Sequence, residues 1–243
     1  MSDDPQRRGI FVAGTDTGVG KTVVAAGLTR LARERGLRAL AVKPIETGCP
    51  LRSGELYPED GSFLARATDG DLSLDECAPF RFSLPASPYR AAVMEGKRLQ
   101  VDDLVEHVLA VAEGADLTVV EGAGGLLVPI EERVMMIDLI ERLGYPVILV
   151  SRSALGTMNH TLLSLEALAK REIDTLGVIL SRTSAQRGPE EEFTPRDLTR
   201  LVGKIPLAVL PYLETEKRED PDGIAATMKT QWREQTLKRW LGT

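Results

Sequence analysis

Six short apolar runs punctuate the chain, at Ile10 to Ala13, Ala39 to Lys43, Asp116 to Val120, Pro146 to Ser151, Thr175 to Leu180 and Ile205 to Leu210. Each has strand length and is bounded by turn-forming or charged residues, as expected of strands buried on both faces. Between them the pattern changes to a helical period. Lys21 to Arg35 carries Val23, Val24, Leu28 and Leu31 on one face and meets Gly36 as a stop. Pro85 to Glu95, Val101 to Glu113, Thr157 to Arg171, the stretch near Pro195 to Val202 and the C-terminal segment also read as helices.

Strands alternating with amphipathic helices predict an α/β fold, because parallel neighbours need crossover connections and the crossovers cover the sheet. The expectation is a doubly wound, mostly parallel sheet of about seven strands with helices on both faces. A single domain over residues 1–243 is expected, with polar residues 1–8 as a flexible N-terminal extension. In such a sheet ligands collect outside the carboxyl ends of the strands. The polar residues at those ends are Thr15, Lys43, Glu121, Ser151 and Ser181.

The first of these ends is the most specific. The run from Ile10 enters Gly14-Thr15-Asp16-Thr17-Gly18-Val19-Gly20-Lys21-Thr22 and then a helix. Backbone N–H groups in such a loop converge on phosphate oxygens, and the helix start adds partial positive charge. Lys21 would reach the terminal phosphates, and the Thr22 hydroxyl is placed for a Mg²⁺ bridging two of them. Five residues separate Gly14 from Gly20, one more than the usual phosphate loop, with Thr15 at the standard first-glycine position.

Composition narrows the partners. An apolar content of 43% is ordinary for a globular protein, and a net charge of −6 argues against non-specific nucleic-acid or membrane-surface binding. No apolar run has the length of a membrane span, and Met1 to Arg8 lacks the apolar core of a signal peptide. Cys49 and Cys77 have no metal-ligand spacing and read as free thiols of a reducing compartment. A cytoplasmic location is therefore expected.

Other candidates admit two readings each. Glu121 follows a buried-strand run and precedes Gly122-Ala123-Gly124-Gly125, read as a flexible turn. It is either a Mg²⁺ ligand beside the phosphate loop or a solvated strand-end carboxylate. Lys43, before Pro44, could point into a nucleotide site or snorkel at a strand terminus. Asp60 stands in a Pro-, Gly- and charge-rich insertion, near the N-cap of a short helix through Ser62 to Ala65. Thr47 is a loop hydroxyl, Thr157 a helix cap, and His107 and His160, the only histidines, have no metal or nucleophile arrangement.

The phosphate loop, Lys43-Pro44 with Thr47-Gly48, Ser87-Pro88, Val120-Glu121-Gly122-Ala123-Gly124-Gly125 and Leu155-Gly156 with Asn159-His160 together resemble the dethiobiotin synthetase family, in order from about residue 9 to 213. The longer loop spacing is a feature of that family. The resemblance implies a P-loop NTPase-like fold and an ATP-dependent cyclo-ligase that converts 7,8-diaminopelargonic acid and CO₂ to dethiobiotin, ADP and phosphate, through a carbamate and a carbamic-phosphoric anhydride. It implies that Lys21 and Lys43 supply positive charge and that Thr22, Asp60 and Glu121 hold Mg²⁺. Gly18, Val19, Gly20, Lys21, Thr22 and Val23, with Glu121, Gly122, Ala123 and Gly124, would line the phosphates. Ser181, Arg182, Pro211, Tyr212 and Leu213 would meet the base.

Thr17 and Thr47 would touch the substrate, and Leu155, Gly156, Asn159 and His160 would lie at a homodimer interface that completes the neighbour's pocket. Where the family commonly places Asn for the adenine edge this chain has Ser181, whose single hydroxyl cannot reproduce an amide's paired donor and acceptor. A nucleotide switch of the same superfamily is a competing reading. Such switches carry a further lysine early in the loop, where Asp16 stands here. The amidoligase of cobyrinate synthesis is another, and is expected to bring a glutamine-hydrolysing domain for which the chain is too short.

Overall fold

A computed structural model describes residues 9–186 and 188–243, so the expected extension over residues 1–8 lies outside the described residues. The chain opens with β1 (Gly9–Gly14), α1 (Lys21–Glu34) and β2 (Ala39–Val42). An insertion follows, made of β3 (Ile45–Thr47), β4 (Leu51–Arg52), β5 (Glu55–Leu56), α2 (Glu59–Ala67), α3 (Leu74–Cys77), β6 (Phe80–Phe82) and α4 (Pro88–Met94). The alternation resumes with α5 (Val101–Ala112), β7 (Leu117–Gly125), α6 (Met136–Leu143), β8 (Val147–Arg152), α7 (Thr157–Lys170) and β9 (Thr175–Ser181). It ends with α8 (Thr194–Val202), β10 (Leu207–Leu210), α9 (Thr215–Arg218), α10 (Pro221–Gln231) and α11 (Glu234–Leu241).

The main sheet has six strands in the order β10-β9-β8-β1-β7-β2, every neighbouring pair parallel. Among the described residues that is the doubly wound parallel sheet expected, with six strands where about seven were expected. The remaining short strands pair among themselves, β3 with β6 and β4 with β5. Pro44 has no N–H to extend the ladder of β2, and the chain leaves the sheet there. Lys43, expected inside the strand, stands just beyond it, and its N–H donates to Cys77 O over 2.8 Å.

A second correction concerns residues 122–125. They were expected to form a flexible turn, yet β7 continues through Gly125. The glycines serve close approach here, since a Cβ on Gly122 would stand 2.8 Å from the Phe11 ring. A third difference is α6, which covers a stretch that the pattern reading left without an element. Its Met136, Ile137, Leu139, Ile140 and Leu143 are buried.

Alternation along the strands sends side chains to two cores. Ile10, Val12, Val119 and Ile148 pack with Val24, Leu28 and Leu31 of α1, Ile224 and Met228 of α10 and Trp240 of α11. Phe11, Leu40, Val42, Val120 and Leu149 pack on the other face with Leu104 and Val108 of α5 and Ile137 and Ile140 of α6. Each such buried side chain stabilises the fold by about 1.5–3 kcal/mol. Glu121 shares the face of Leu117 and Val119, and Lys43 that of Ala39 and Ala41, so both belong to the side on which α1 begins.

Candidate active site

The phosphate loop is shaped by its own backbone. The Lys21 ammonium turns back onto the loop and donates to Asp16 O over 2.9 Å. A Cβ on Gly14 would lie 2.9 Å from both that oxygen and the ammonium, so the position admits only glycine without a shift. Burial lowers Lys21 to a pKa of about 8. Arg152, at the end of β8, steadies the loop from outside by donating to Asp16 Oδ2 at 3.2 Å. Beneath it runs a line of hydroxyls: Thr15 Oγ1 donates to Ser151 Oγ at 3.2 Å, and Ser151 Oγ lies 2.7 Å from Thr157 Oγ1 at the start of α7.

Beside the loop four side chains, from α1, α2, β7 and the residue after β2, come together. Glu121 is 1% exposed, and its Oε1 accepts from Thr22 Oγ1 at 2.9 Å and from Lys43 Nζ at 3.0 Å. Lys43 also donates to Asp60 Oδ2, at the start of α2. Burial works against the ammonium of Lys43, but the carboxylates of Glu121, Asp60 and Glu46 outweigh it and hold the pKa above its ordinary value. Burial also works against the carboxylate of Asp60, and Lys43 outweighs it, so Asp60 lies below the usual range. For Glu121 burial prevails and raises its pKa.

Sequence reading singled out Lys21, Thr22, Lys43, Asp60 and Glu121 separately, and the fold puts them on one wall. They line a cavity of about 1190 Å³ together with Thr17, Gly18, Gly20, Val23, Thr47, Ala123 and Gly124. Val19 is not in that wall, its side chain being buried in the core under the loop. Ser181, Arg182, Pro211, Tyr212 and Leu213 form a separate narrow cleft reached past Gly20 and Val23. Arg182 is tied there to Glu191, Nε to Oε2, over 2.6 Å. Leu155, Gly156, Asn159 and His160 are exposed, and none of the four borders either of these two spaces.

Several wall residues carried no motif. Arg52 and Tyr57 stack with the guanidinium 4.0 Å from the ring centroid, and Phe63, Arg66 and Arg218 line the same cavity. Ser87 and Pro88, the start of α4, border it too. Glu46 is the most buried of the residues that were missed, at 6% exposure. Its signal was slight, a single acidic residue between Lys43 and Thr47.

The donor set can be tested against a divalent cation on this geometry. Thr22, Asp60 and Glu121 offer hard oxygens, and Glu121 Oε2 is a buried acceptor with no hydrogen-bond partner among the described residues. Mg²⁺ takes such ligands, usually one or two carboxylates with phosphate and water oxygens completing the shell. The residues fit.

A family model described as an AAA domain matches residues 8–219. The ATP-dependent dethiobiotin synthetase BioD of Anaeromyxobacter sp. (strain K) is 42% identical over 205 residues, covering 84% of this chain and 90% of that protein. The protein of the same name from Thermodesulfovibrio yellowstonii is 39% identical over 228 residues, covering 90% and 95%. Among solved structures, a ParA family ATPase from Chlorobium tepidum TLS superposes with a TM-score of 0.53 at 17% identity, covering 97% of this chain and 98% of that one. The septum site-determining protein MinD complexed with Mg-ADP, from Pyrococcus horikoshii OT3, gives 0.53 at 19% identity, covering 97% and 93%. At that identity the likeness is one of fold.

Proposed function

The chain belongs to the dethiobiotin synthetase family, an ATP-dependent group of ligases of biotin biosynthesis, and we propose that it closes the ureido ring of dethiobiotin from 7,8-diaminopelargonic acid, CO₂ and ATP. The observation that carries this reading is the meeting of Thr22 and Lys43 on one oxygen of Glu121, with Asp60 on the far side of the same ammonium. That arrangement puts a fixed positive charge and hard oxygen donors beside a phosphate loop. The reaction needs both.

In the first step one amine nitrogen bonds to the carbon of CO₂ and loses a proton, leaving a carbamate. A carbamate oxygen then attacks the γ-phosphorus, the bond to the ADP oxygen breaks, and a carbamic-phosphoric anhydride forms. The second amine nitrogen attacks the same carbon, phosphate leaves, and another proton is released as the ring closes. Two anions must meet in the middle step, so the demand on the protein is charge neutralisation and alignment rather than covalent chemistry.

Lys43 answers that demand on the substrate side. Its ammonium is protonated across the working pH range because its carboxylate neighbours outweigh burial. Lys21 swings from Asp16 O to the terminal phosphates, and the loop N–H groups orient them. Thr22, Asp60 and Glu121 would hold Mg²⁺, which when bound neutralises charge on the triphosphate. Thr17 and Thr47 offer hydroxyls to the diamine or carbamate. The cleft around Ser181, Arg182 and Tyr212 takes the base.

The exposed start of α7 supports a homodimer. Leu155 is 87% exposed and Leu163, two turns on, is 56% exposed, which leaves an apolar surface beside Gly156, Asn159 and His160 for a second copy. Among the described residues no helix is long and apolar enough to cross a membrane. The test is ADP release measured with diaminopelargonic acid and bicarbonate together and with each left out. Release that is indifferent to both would overturn the synthetase reading in favour of a nucleotide switch.

A further inference from the structure

Helix α2, which delivers Asp60, starts without a cap of its own. Its N-cap residue is Pro58, which has no side-chain acceptor, and no side-chain cap bond is made from that position. The first N–H groups of a helix need acceptors from outside it. Here Glu46, the second residue of β3, supplies them, with Oε1 accepting from Asp60 N at 3.0 Å and Oε2 from Gly61 N at 2.8 Å. These are the second and third residues of α2, the pair that an ordinary N-cap side chain serves. A buried carboxylate at that end also meets the positive pole of the helix.

The same short segment carries Lys43, whose ammonium holds the Asp60 carboxylate. Asp60 is therefore gripped at both ends from one stretch of chain, its side chain by Lys43 and its backbone N–H by Glu46. The fit is tight behind it as well, since a Cβ on Gly61 would come within 2.4 Å of Ala78 Cβ. If Lys43 alone held Asp60, the carboxylate would be free to follow the ammonium whenever that turned toward a substrate. With α2 pinned through its backbone, Asp60 stays in place.

We propose that Glu46 is a positioning residue of the active site, which fixes Asp60 by capping α2 and so allows Lys43 to exchange partners during turnover without dragging the acidic ligand set with it. The proposal rests on the synthetase reading for what turnover is, while the cap itself is open to measurement in the nucleotide-free protein.

The experiment compares wild type, Glu46→Gln and Glu46→Ala by amide hydrogen exchange, by the Mg²⁺ dependence of ATP affinity in calorimetry, and by diamine-dependent ADP release. The amides of Asp60 and Gly61 are expected to exchange about tenfold faster or more in Glu46→Ala, with Glu46→Gln between because its amide oxygen still accepts one bond, and with the amides of β1 and β7 unchanged. The Mg²⁺ concentration for half-maximal rate is expected to rise about fivefold or more and kcat to fall about tenfold, while KM for ATP stays within about twofold. Unchanged exchange at the two amides overturns the proposal, as does faster exchange with wild-type kcat and Mg²⁺ dependence. Should wild type release no diamine-dependent ADP, the synthetase reading fails by itself, and the Mg²⁺ dependence of ATP affinity still decides the role of Glu46. Glu46→Gln serves if the alanine variant does not fold.

Discussion

Lys43 Nζ and Glu121 Oε1 lie 3.0 Å apart although 78 residues of chain separate them, and both side chains are buried. Removing the charge of one partner leaves the other uncompensated, and glutamine at position 43 would retain a polar donor while taking away the ammonium. Lys43→Gln is therefore expected to lower kcat by about 100-fold or more while ATP affinity changes less than about threefold. Steady-state ADP release and calorimetry measure the two quantities. A variant with near wild-type kcat would remove Lys43 from the chemistry.

Glu121→Gln leaves the acceptor of Thr22 in place but takes away the charge facing the cation. ATP binding with Mg²⁺ present is expected to weaken about tenfold or more, and binding in excess chelator to stay unchanged. A titration with and without the metal separates the two. Equal losses in both arms would mean that Glu121 shapes the loop rather than the cation site.

Gly14→Ala places a methyl group where the loop has only 2.9 Å to offer. Because the neighbours include backbone, the loop must shift, at about 1–3 kcal/mol in unfolding free energy. ATP affinity is expected to fall with it, and addition of saturating ATP to recover less thermal stability than in wild type. Urea unfolding and a melting series with nucleotide give both numbers.

A pH effect arises far from the cleft. Glu95, just after α4, accepts from Lys97 and from the N–H and hydroxyl of Ser83, and these bonds lower its carboxyl to about 2 against an ordinary 4.5. Its folded value is below its unfolded one, so its contribution is complete above about 4.5 and disappears as the pH falls toward about 2. Glu95→Gln is expected to lower the melting temperature at pH 7 and to become indistinguishable from wild type near the acid limit. A Tm gap that stayed constant from pH 7 to pH 3 would contradict the assignment.

Much of this was legible beforehand, and the exceptions have physical reasons. The strands were readable because β1, β2, β7, β8, β9 and β10 are buried on both faces and so are nearly continuous apolar runs. Thr22, Lys43 and Glu121 stand out in the sequence because each follows or ends an apolar run or loop, and the parallel sheet brings them within hydrogen-bond distance. Helix α6 spans only eight residues, too few for its buried Met136, Ile137, Ile140 and Leu143 to set up a helical period in the sequence that stands out from a loop. Glu46 was missed for a deeper reason. Its partners are backbone N–H groups, which every residue possesses, so a side chain bonded to them leaves no pattern in the sequence.

The register of β7 has a further consequence. Val120 pairs with Val42 on one side, and Glu121 pairs with Val12 on the other, so Lys43 arrives beside Glu121 only because the hydrophobic neighbours are in step. A slip of one place would turn the carboxylate to the opposite face. The catalytic edge thus has no mould of its own and is cast by the interior, so tolerance to change in Val42 and Val120 should be limited by turnover before it is limited by folding.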